Sequence, residues 1–437
     1  MRLKFKFIFI VITFLMFQIL LTITSLASSA DLEIGSPAGI LIDASTGKIL
    51  YEKNANEIRY PASTTKIMTA ILAVENCKLT DVATASHNAI YSVPVSYSHA
   101  SIVEGEELTV EQLLNVLLIP SANDAANILA EHIAGSIENF AQMMNEKAVE
   151  IGCKNTHFVN ANGVHANNHY TTAYDLALMG QYAMKNSTIR SIVSKTQCSL
   201  PKTNKYDKED RVFNTSNDLL RVNNSSGPDN YYYEYANGIK TGYTTEAGSC
   251  IIASAKKDGL EVIAVILGAE TTAEGYSIRY PDCKTLFNYA FDNYKLEDIV
   301  TSEDVVEEIT VPDATQSTSN LKVSPESTIT AIIDKNQSTE KLEPKIEIDE
   351  NLSAPISAGE VIGKITYTID DRDYSTNLIA DSSVIKSGLW DILFRICVVI
   401  LILVVLFMLL KPIGKGTKNH KKSSKTKSPG YKHLRLY

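Results

Sequence analysis

Three short clusters in this 437-residue chain carry hydroxyl, amine and amide groups at spacings that can do chemistry. The first, Pro61-Ala62-Ser63-Thr64-Thr65-Lys66, runs into a largely apolar stretch, Lys66 to Val74, that reads as a helix. With a helix starting at Ser63, residues three apart share a face, so the Lys66 amine reaches the Ser63 hydroxyl. A serine hydroxyl is a weak nucleophile at neutral pH. A lysine stripped of water near a second cation loses its proton and becomes the base that activates it. Placement at a helix start also exposes the serine and turns backbone N–H groups outward. The pair alone says little, because the same Ser-x-x-Lys spacing recurs elsewhere, at Ser254, Ser319, Ser383 and Ser424 among others.

The second cluster, Ser121-Ala122-Asn123, follows a helix read over Val110 to Leu118 and precedes another read over Ala125 to Ile133. The third, Lys240-Thr241-Gly242, occurs once, at the border of a β-rich region, with a glycine where a ligand can approach the backbone closely. A hydroxyl, an amide and a second ammonium are what acyl transfer on a carboxylate-ended peptide requires: proton relay, amide binding and carboxylate recognition. Each triplet alone means little; the order of all three within one domain carries the argument.

The set Ser-x-x-Lys, Ser-x-Asn and Lys-Thr-Gly resembles that of the penicillin-interacting serine acyltransferases. The flanking runs Tyr60 to Thr69, Ile119 to Ala126 and Asn237 to Thr244, with Phe158 to Gly163 and His169 to Asp175, narrow the likeness. They resemble the low-molecular-weight penicillin-binding proteins of the serine-type D-alanyl-D-alanine carboxypeptidase family. The resemblance is close over residues 35 to 295 and looser beyond. It implies an α+β catalytic domain of the β-lactamase/transpeptidase type, an antiparallel sheet with helices, then a small all-β domain and a C-terminal transmembrane helix. It also implies an activity: removal of the terminal D-alanine from peptidoglycan stem pentapeptides through an acyl-enzyme on Ser63, with β-lactams as covalent inhibitors. Lys66 would then be the acylation base and Ser121 the proton relay, while Asn123 binds the substrate amide and holds Lys66. Lys240 and Thr241 would receive the terminal carboxylate beside Gly242, with Arg279 assisting. The backbone N–H groups of Ser63 and Tyr243 would form the oxyanion hole. Some relatives carry His where Tyr243 stands, a change that a backbone donor tolerates. The resemblance implies no cofactor and no metal.

Rival readings share these motifs. A β-lactamase of class A would use a glutamate to deacylate, and there is no Glu between Ile151 and Gln181. A transpeptidase differs only in the acceptor, which the motifs leave open. A non-catalytic β-lactam sensor or scaffold is opposed by the intact motif set and by a tail of only 27 residues after the last apolar run.

The elements that must position these groups are also legible. Gly39 to Asp43 and Thr46 to Tyr51 read as a hairpin, and Ser249 to Ser254 and Leu260 to Leu267 as strands joined at Lys256-Lys257-Asp258-Gly259. Strands at both ends with helices between suggest an α+β layer domain. Arg2, Lys4 and Lys6 precede an apolar run and the small residues Ala27 to Ala30, the layout of a signal peptide over residues 1–30. The catalytic domain is then expected over 31–295. Residues 296–380 hold 18 Asp or Glu against 6 Lys or Arg, a net −12 that exceeds the −9 of the whole chain, and alternate as an acidic β-rich domain. A spacer role is expected for it. Residues 390–410 can cross a bilayer, and 411–437, with eight Lys, one Arg and no acid, fit a cytoplasmic tail on anionic lipid rather than nucleic-acid binding. The expected place is the cell membrane, with a single C-terminal anchor and the catalytic domain on the outer face. The six cysteines lack any C-x-x-C pair and read mostly as small buried hydrophobes. His157, His165 and His169 lack the H-E-x-x-H spacing of a zinc site and read as braces of a loop, with Asp175 beside them in a structural role.

Overall fold

The computed structural model describes residues 32–222, 231–273, 275–339 and 342–410. The expected signal peptide and basic tail lie outside them. The chain forms two compact units, one ending at Glu297 but taking back Thr330–Lys341, the other made of Asp298–Ile329 and the chain from Leu342 on.

The first unit begins with β1 (Ala38–Asp43) and β2 (Ile49–Lys53), then α1 (Lys66–Asn76), β3 (Val82–Thr84), α2 (His87–Tyr91), β4 (Glu107–Thr109) and α3 (Val110–Leu118). There follow α4 (Asn123–Ala134), α5 (Ile137–Ile151), α6 (Ala173–Met184), α7 (Ser187–Val193), β5 (Gln197–Leu200) and β6 (Arg211–Asn214). It closes with β7 (Ala236–Thr244), β8 (Gly248–Lys257), β9 (Leu260–Ala269), α8 (Arg279–Asn293) and β10 (Tyr294–Val300). The main sheet has the order β2-β1-β9-β8-β7, antiparallel throughout.

Two cores explain why its strands read as nearly continuous apolar runs. Ile40, Ile42, Ile252, Ile263 and Val265 face the helices α1 to α7 in one cluster, while Leu41, Ile251, Val262, Ala264 and Ile266 pack on Tyr280, Leu286 and Phe287 of α8 in the other. Alternate residues thus enter different cores and both faces are covered, so the period-2 polar signal disappears. The β8–β9 turn uses Asp258 and Gly259 at φ 49° and 84°, the left-handed pair of a tight two-residue hairpin. Helix α1 is the central helix: every residue from Lys66 to Ala73 is buried.

The helix expected from Ser63 begins instead at Lys66. Ser63 lies in the preceding 3-10 turn, Ala62–Thr65, whose carbonyls the Lys66 N–H closes. Residues three apart eclipse in a 3-10 turn, so the spacing still brings Lys66 to Ser63. The second helix of the pair starts at Asn123, two residues before the expected Ala125. All six cysteines are free, with Cys153, Cys250 and Cys283 buried.

The second unit carries β11 (Glu307–Thr310), β12 (Asn320–Pro325), β14 (Lys345–Ile348), β15 (Val361–Ile369) and β16 (Arg372–Ala380) in one antiparallel sheet. Between them, β13 (Ile329–Asp334) pairs with β10. Helix α9 (Leu389–Leu410) includes an 18-residue apolar window, Ile392–Leu409, long enough to cross a membrane.

Candidate active site

The Ser63 turn is held in a tense shape. Ala62 has φ 48° and Ser121 has φ 69°, left-handed conformations that cost a non-glycine residue roughly 1–2 kcal/mol each. Other left-handed non-glycine positions include Asn54, Asp258 and Asp370, types whose side chains tolerate that region. An alanine beside the serine and a serine in the second cluster have no such excuse. Their strain is sustained by what surrounds them.

Lys66 is fully buried, with Nζ 2.8 Å from Ser63 Oγ, 2.8 Å from Asn123 Oδ1 and 2.7 Å from the Asn162 carbonyl oxygen. Two of these partners are pure acceptors. A neutral amine has two N–H donors and one lone pair, so satisfying both acceptors leaves the lone pair facing the serine hydroxyl. Burial, and after it the charge of Lys240, push the Lys66 amine well below its usual range against an opposing pull from Asp124. Asn123 stays put because its own amide donates to the Ser98 carbonyl at 2.9 Å, as does its backbone N–H.

The loop that supplies the Asn162 carbonyl is tied to helices α1 and α4 and held by a bond of its own. Thr69 Oγ1 donates to the Ala161 carbonyl, Asn162 Nδ2 to Asn127 Oδ1 at 3.0 Å, and the Asn160 side chain accepts from Gly163 N–H at 2.7 Å. Gly163, at φ 85°, lies so close that a Cβ there would sit 1.9 Å from the Ala62 carbonyl oxygen. His169 completes the brace. Its Nδ1 accepts from Val159 N–H at 3.2 Å, so Nε2 carries the proton and donates to Thr65 Oγ1 at 2.8 Å. Burial, with His157 and His165 nearby, lowers its pKa to about 3, which keeps it neutral. Asp175 accepts from Asn155 N–H and Thr156 Oγ1 at 2.8 and 2.7 Å, anchoring the base of the same loop.

Strand β7 forms the facing wall. It is an edge strand, and its Gly242 passes so near the turn that a Cβ would lie 2.9 Å from Ser63 N and 3.0 Å from both the Pro61 oxygen and Thr64 N. Lys240 is buried and bonds the Thr241 carbonyl at 2.9 Å; burial, then the Arg279 charge, lower its pKa to about 7. Arg279 opens α8 and donates to the Gly242 and Cys250 carbonyls at 2.9 and 3.3 Å and to Tyr280 Oη at 2.9 Å, while its Nε is buried without a partner. Between the walls lies a cleft of about 420 Å³ lined by Ser63, Ser121, Asn123, Thr241, Tyr243 and Arg279 among others. No Asp or Glu lines it among the described residues.

Comparison with known proteins decides the family. The family model described as D-alanyl-D-alanine carboxypeptidase matches residues 24–271, and that for the C-terminal domain of penicillin-binding protein 5 matches residues 294–386. The chain belongs to the D-alanyl-D-alanine carboxypeptidase family. Among curated proteins it is 32% identical to D-alanyl-D-alanine carboxypeptidase DacF of Bacillus subtilis over 82% of this chain and 88% of that one. Among solved structures, penicillin-binding protein 5 from Haemophilus influenzae matches 81% of this chain and 98% of its own at 27% identity and TM-score 0.62. The Streptomyces K15 DD-transpeptidase matches 60% of this chain and 98% of its own at 32% identity and TM-score 0.53. The α+β fold, the C-terminal β domain and the enzyme class expected from the motifs are those of the family.

Within this carboxypeptidase scaffold the structure gathers Ser63, Ser121, Asn123, Thr241, Gly242, Tyr243 and Arg279 around one cleft, with Lys66 and Lys240 buried at its walls. Two participants escaped the sequence reading. The Asn162 carbonyl is a backbone atom, and no residue type announces it. Ser216, whose Oγ is 2.7 Å from Thr241 Oγ1, comes from the segment after β6 and belongs to no triplet.

Proposed function

We propose that Ser63 is the nucleophile of a penicillin-sensitive carboxypeptidase reaction on peptidoglycan stem peptides ending in D-Ala-D-Ala. The observation that carries the reading is the Lys66 amine, buried and 2.8 Å from Ser63 Oγ, with its two N–H donors claimed by Asn123 and the Asn162 carbonyl. Lys66 takes the Ser63 proton as Oγ bonds the penultimate D-alanine carbonyl carbon. Backbone N–H groups of Ser63 and Tyr243 receive the developing oxyanion. The C–N bond then breaks, and a proton passes through Ser121 to the leaving amine. Water enters the vacated place and returns the acyl group as a free carboxylate, regenerating Ser63. Lys240 and Thr241 receive the terminal carboxylate, with Asn123 on the substrate amide. Arg279 acts through charge and by pinning Gly242, because its Nη1 group is directed at the Gly242 and Cys250 carbonyls and its Nη2 at Tyr280 Oη. The absence of a carboxylate among the described cleft residues opposes class A β-lactamase chemistry. Helix α9 would anchor the enzyme as a single pass, with the catalytic unit outside and the basic tail on the cytoplasmic leaflet.

The test is mass spectrometry of the detergent-solubilised full chain with penicillin, and separately with a diacetyl-Lys-D-Ala-D-Ala peptide, beside Ser63→Ala. One penicilloyl adduct on Ser63 and release of one D-alanine, both lost in the variant, are expected. Rapid penicillin turnover without peptide cleavage would replace this reading with a β-lactamase. A stable adduct without cleavage, relieved by an added amine acceptor, would replace it with a transpeptidase.

A further inference from the structure

Away from the cleft, three side chains of metal-ligating type converge from distant parts of the sequence. Cys77 Sγ, a ring nitrogen of His132 and a carboxylate oxygen of Asp81 all lie within 4.8 Å of one another. Cys77 is the residue that ends α1, and His132 stands in the last turn of α4. Asp81 sits in the loop leading to β3. We propose that Cys77, Asp81 and His132 form a three-ligand zinc site that ties the C-terminal ends of α1 and α4 together.

The donor set selects the metal. A thiolate disfavours Mg²⁺ and Ca²⁺, whereas thiolate, imidazole and carboxylate together suit Zn²⁺. Tetrahedral zinc holds its ligand atoms about 3.5 Å apart, so the three need to draw in by about 1 Å. His132 is exposed and Cys77 half-buried, leaving both free to turn. Asp81 is already placed: one carboxylate oxygen accepts from Lys78 N–H at 2.8 Å, its carbonyl accepts from Val110 N–H at 2.8 Å, and its own N–H reaches the Lys78 carbonyl at 3.0 Å. The other carboxylate oxygen is left for the ion. Both helices also present their C-terminal ends here, where the aligned peptide dipoles favour a cation. Water would complete the fourth position.

The consequence lies at the opposite ends of the same helices. Lys66 begins α1 and Asn123 begins α4, and their side chains meet at 2.8 Å. Cys77 stands eleven positions beyond Lys66, about 16 Å at 1.5 Å per residue, too far for zinc to touch the chemistry. It acts on the packing of the two helices and so on stability. No local sequence signal betrays the site, since Cys77-x-x-x-Asp81 lacks a zinc-finger spacing and His132 is 51 positions beyond Asp81.

The test uses the reduced full chain in detergent, freed of metal, and Zn²⁺ alone as the probe, beside Cys77→Ser and His132→Gln. One equivalent of zinc should compete successfully against a chromophoric chelator in the wild type, and both variants should lose at least tenfold in affinity. Zinc a hundredfold above its Kd should raise the wild-type Tm by about 5 °C and leave the variants unmoved. Co²⁺ should give a thiolate charge-transfer band absent from Cys77→Ser. No uptake by the wild type, or equal uptake by all three proteins with the same shift in Tm, overturns the proposal. His132→Gln alters an exposed side chain and keeps the question answerable if Cys77→Ser folds poorly.

Discussion

On the helical side of the cleft, Lys66 directs its contacts at side-chain and backbone groups aimed back at it: a hydroxyl, an amide oxygen and a carbonyl. On the strand side, Lys240 bonds the neighbouring Thr241 carbonyl, and burial, with Arg279 close by, lowers its pKa to about 7. Both amines are buried and both lose proton affinity, yet the environments differ in kind. The first is built to hold a neutral amine with a defined lone pair. The second gathers two cations, and no carboxylate among the described residues lines the cleft beside them, so a substrate carboxylate is the partner that would restore full charge to Lys240. In the proposed mechanism the base and the carboxylate-receiving cation therefore stand on opposite walls, and substitutions of the two should fail differently.

The largest effect is expected on the helical wall. Lys66→Met removes the base and should lower kcat for D-alanine release by roughly 10³-fold, within the usual range for losing a general base. KM should change little, because Lys66 contacts no atom of the substrate carboxylate in the proposed arrangement. Acylation by penicillin should slow in parallel. Steady-state and stopped-flow rates check both, and a drop confined to KM would mean that the two walls have been assigned the wrong way round. The variant also leaves the buried Asn162 carbonyl short of a donor, at a stability cost of about 1–3 kcal/mol, which thermal unfolding would register.

What could be read without coordinates follows the same division. The side-chain members of the helical wall were legible because Ser63 and Lys66 are three residues apart, and three-residue spacing survives the replacement of an α-turn by a 3-10 turn. Helices α3 and α4 and the β8–β9 hairpin were legible from apolar period and from Asp258-Gly259. The loop brace was only partly so. His157, His165 and His169 stood out as a group, but the Nδ1 and Nε2 bonds that make His169 a strut join residues 159 and 65 across the fold. Asn162 acts through its backbone and Ser216 through a single contact, and neither leaves a periodic or compositional trace. Nor could sequence foresee that Thr330–Lys341 leaves the acidic segment to join the first unit, because acidity reports solvent exposure and not the packing partner.

An intermediate effect is expected where the walls meet. Gly242→Ala places a methyl group 2.9–3.0 Å from the backbone of Pro61, Ser63 and Thr64, and backbone cannot swing away as a side chain can. The strand must retreat, at about 1–3 kcal/mol of overpacking, and the Ser63 and Tyr243 N–H groups lose register with each other. A displacement approaching 1 Å costs about 10²-fold in rate, so kcat/KM should fall between about 10-fold and 100-fold with Lys66 still in place. Activity near that of the wild type, with unchanged stability, would show that the close approach of β7 to the turn is incidental.

The smallest effect is the most specific to the strand wall, and it is read from pH dependence rather than from a lost rate. Lys240 must be charged to receive a carboxylate, and its folded-state pKa is lowered to about 7. As pH rises through that value the cation is lost, so kcat/KM, which reports the free enzyme, should decline above about 7 with a one-proton slope. Lys66 works in the opposite sense: it must be neutral, so the acid limb marks its protonation. A bound substrate carboxylate favours charged Lys240, and the alkaline limb of kcat should therefore lie at higher pH than that of kcat/KM. Lys240→Arg carries a cation that does not titrate. Whatever its absolute rate, its alkaline limb should vanish while the acid limb stays. An alkaline limb that persists in Lys240→Arg would move the carboxylate site off Lys240 and dissolve the contrast between the two amines.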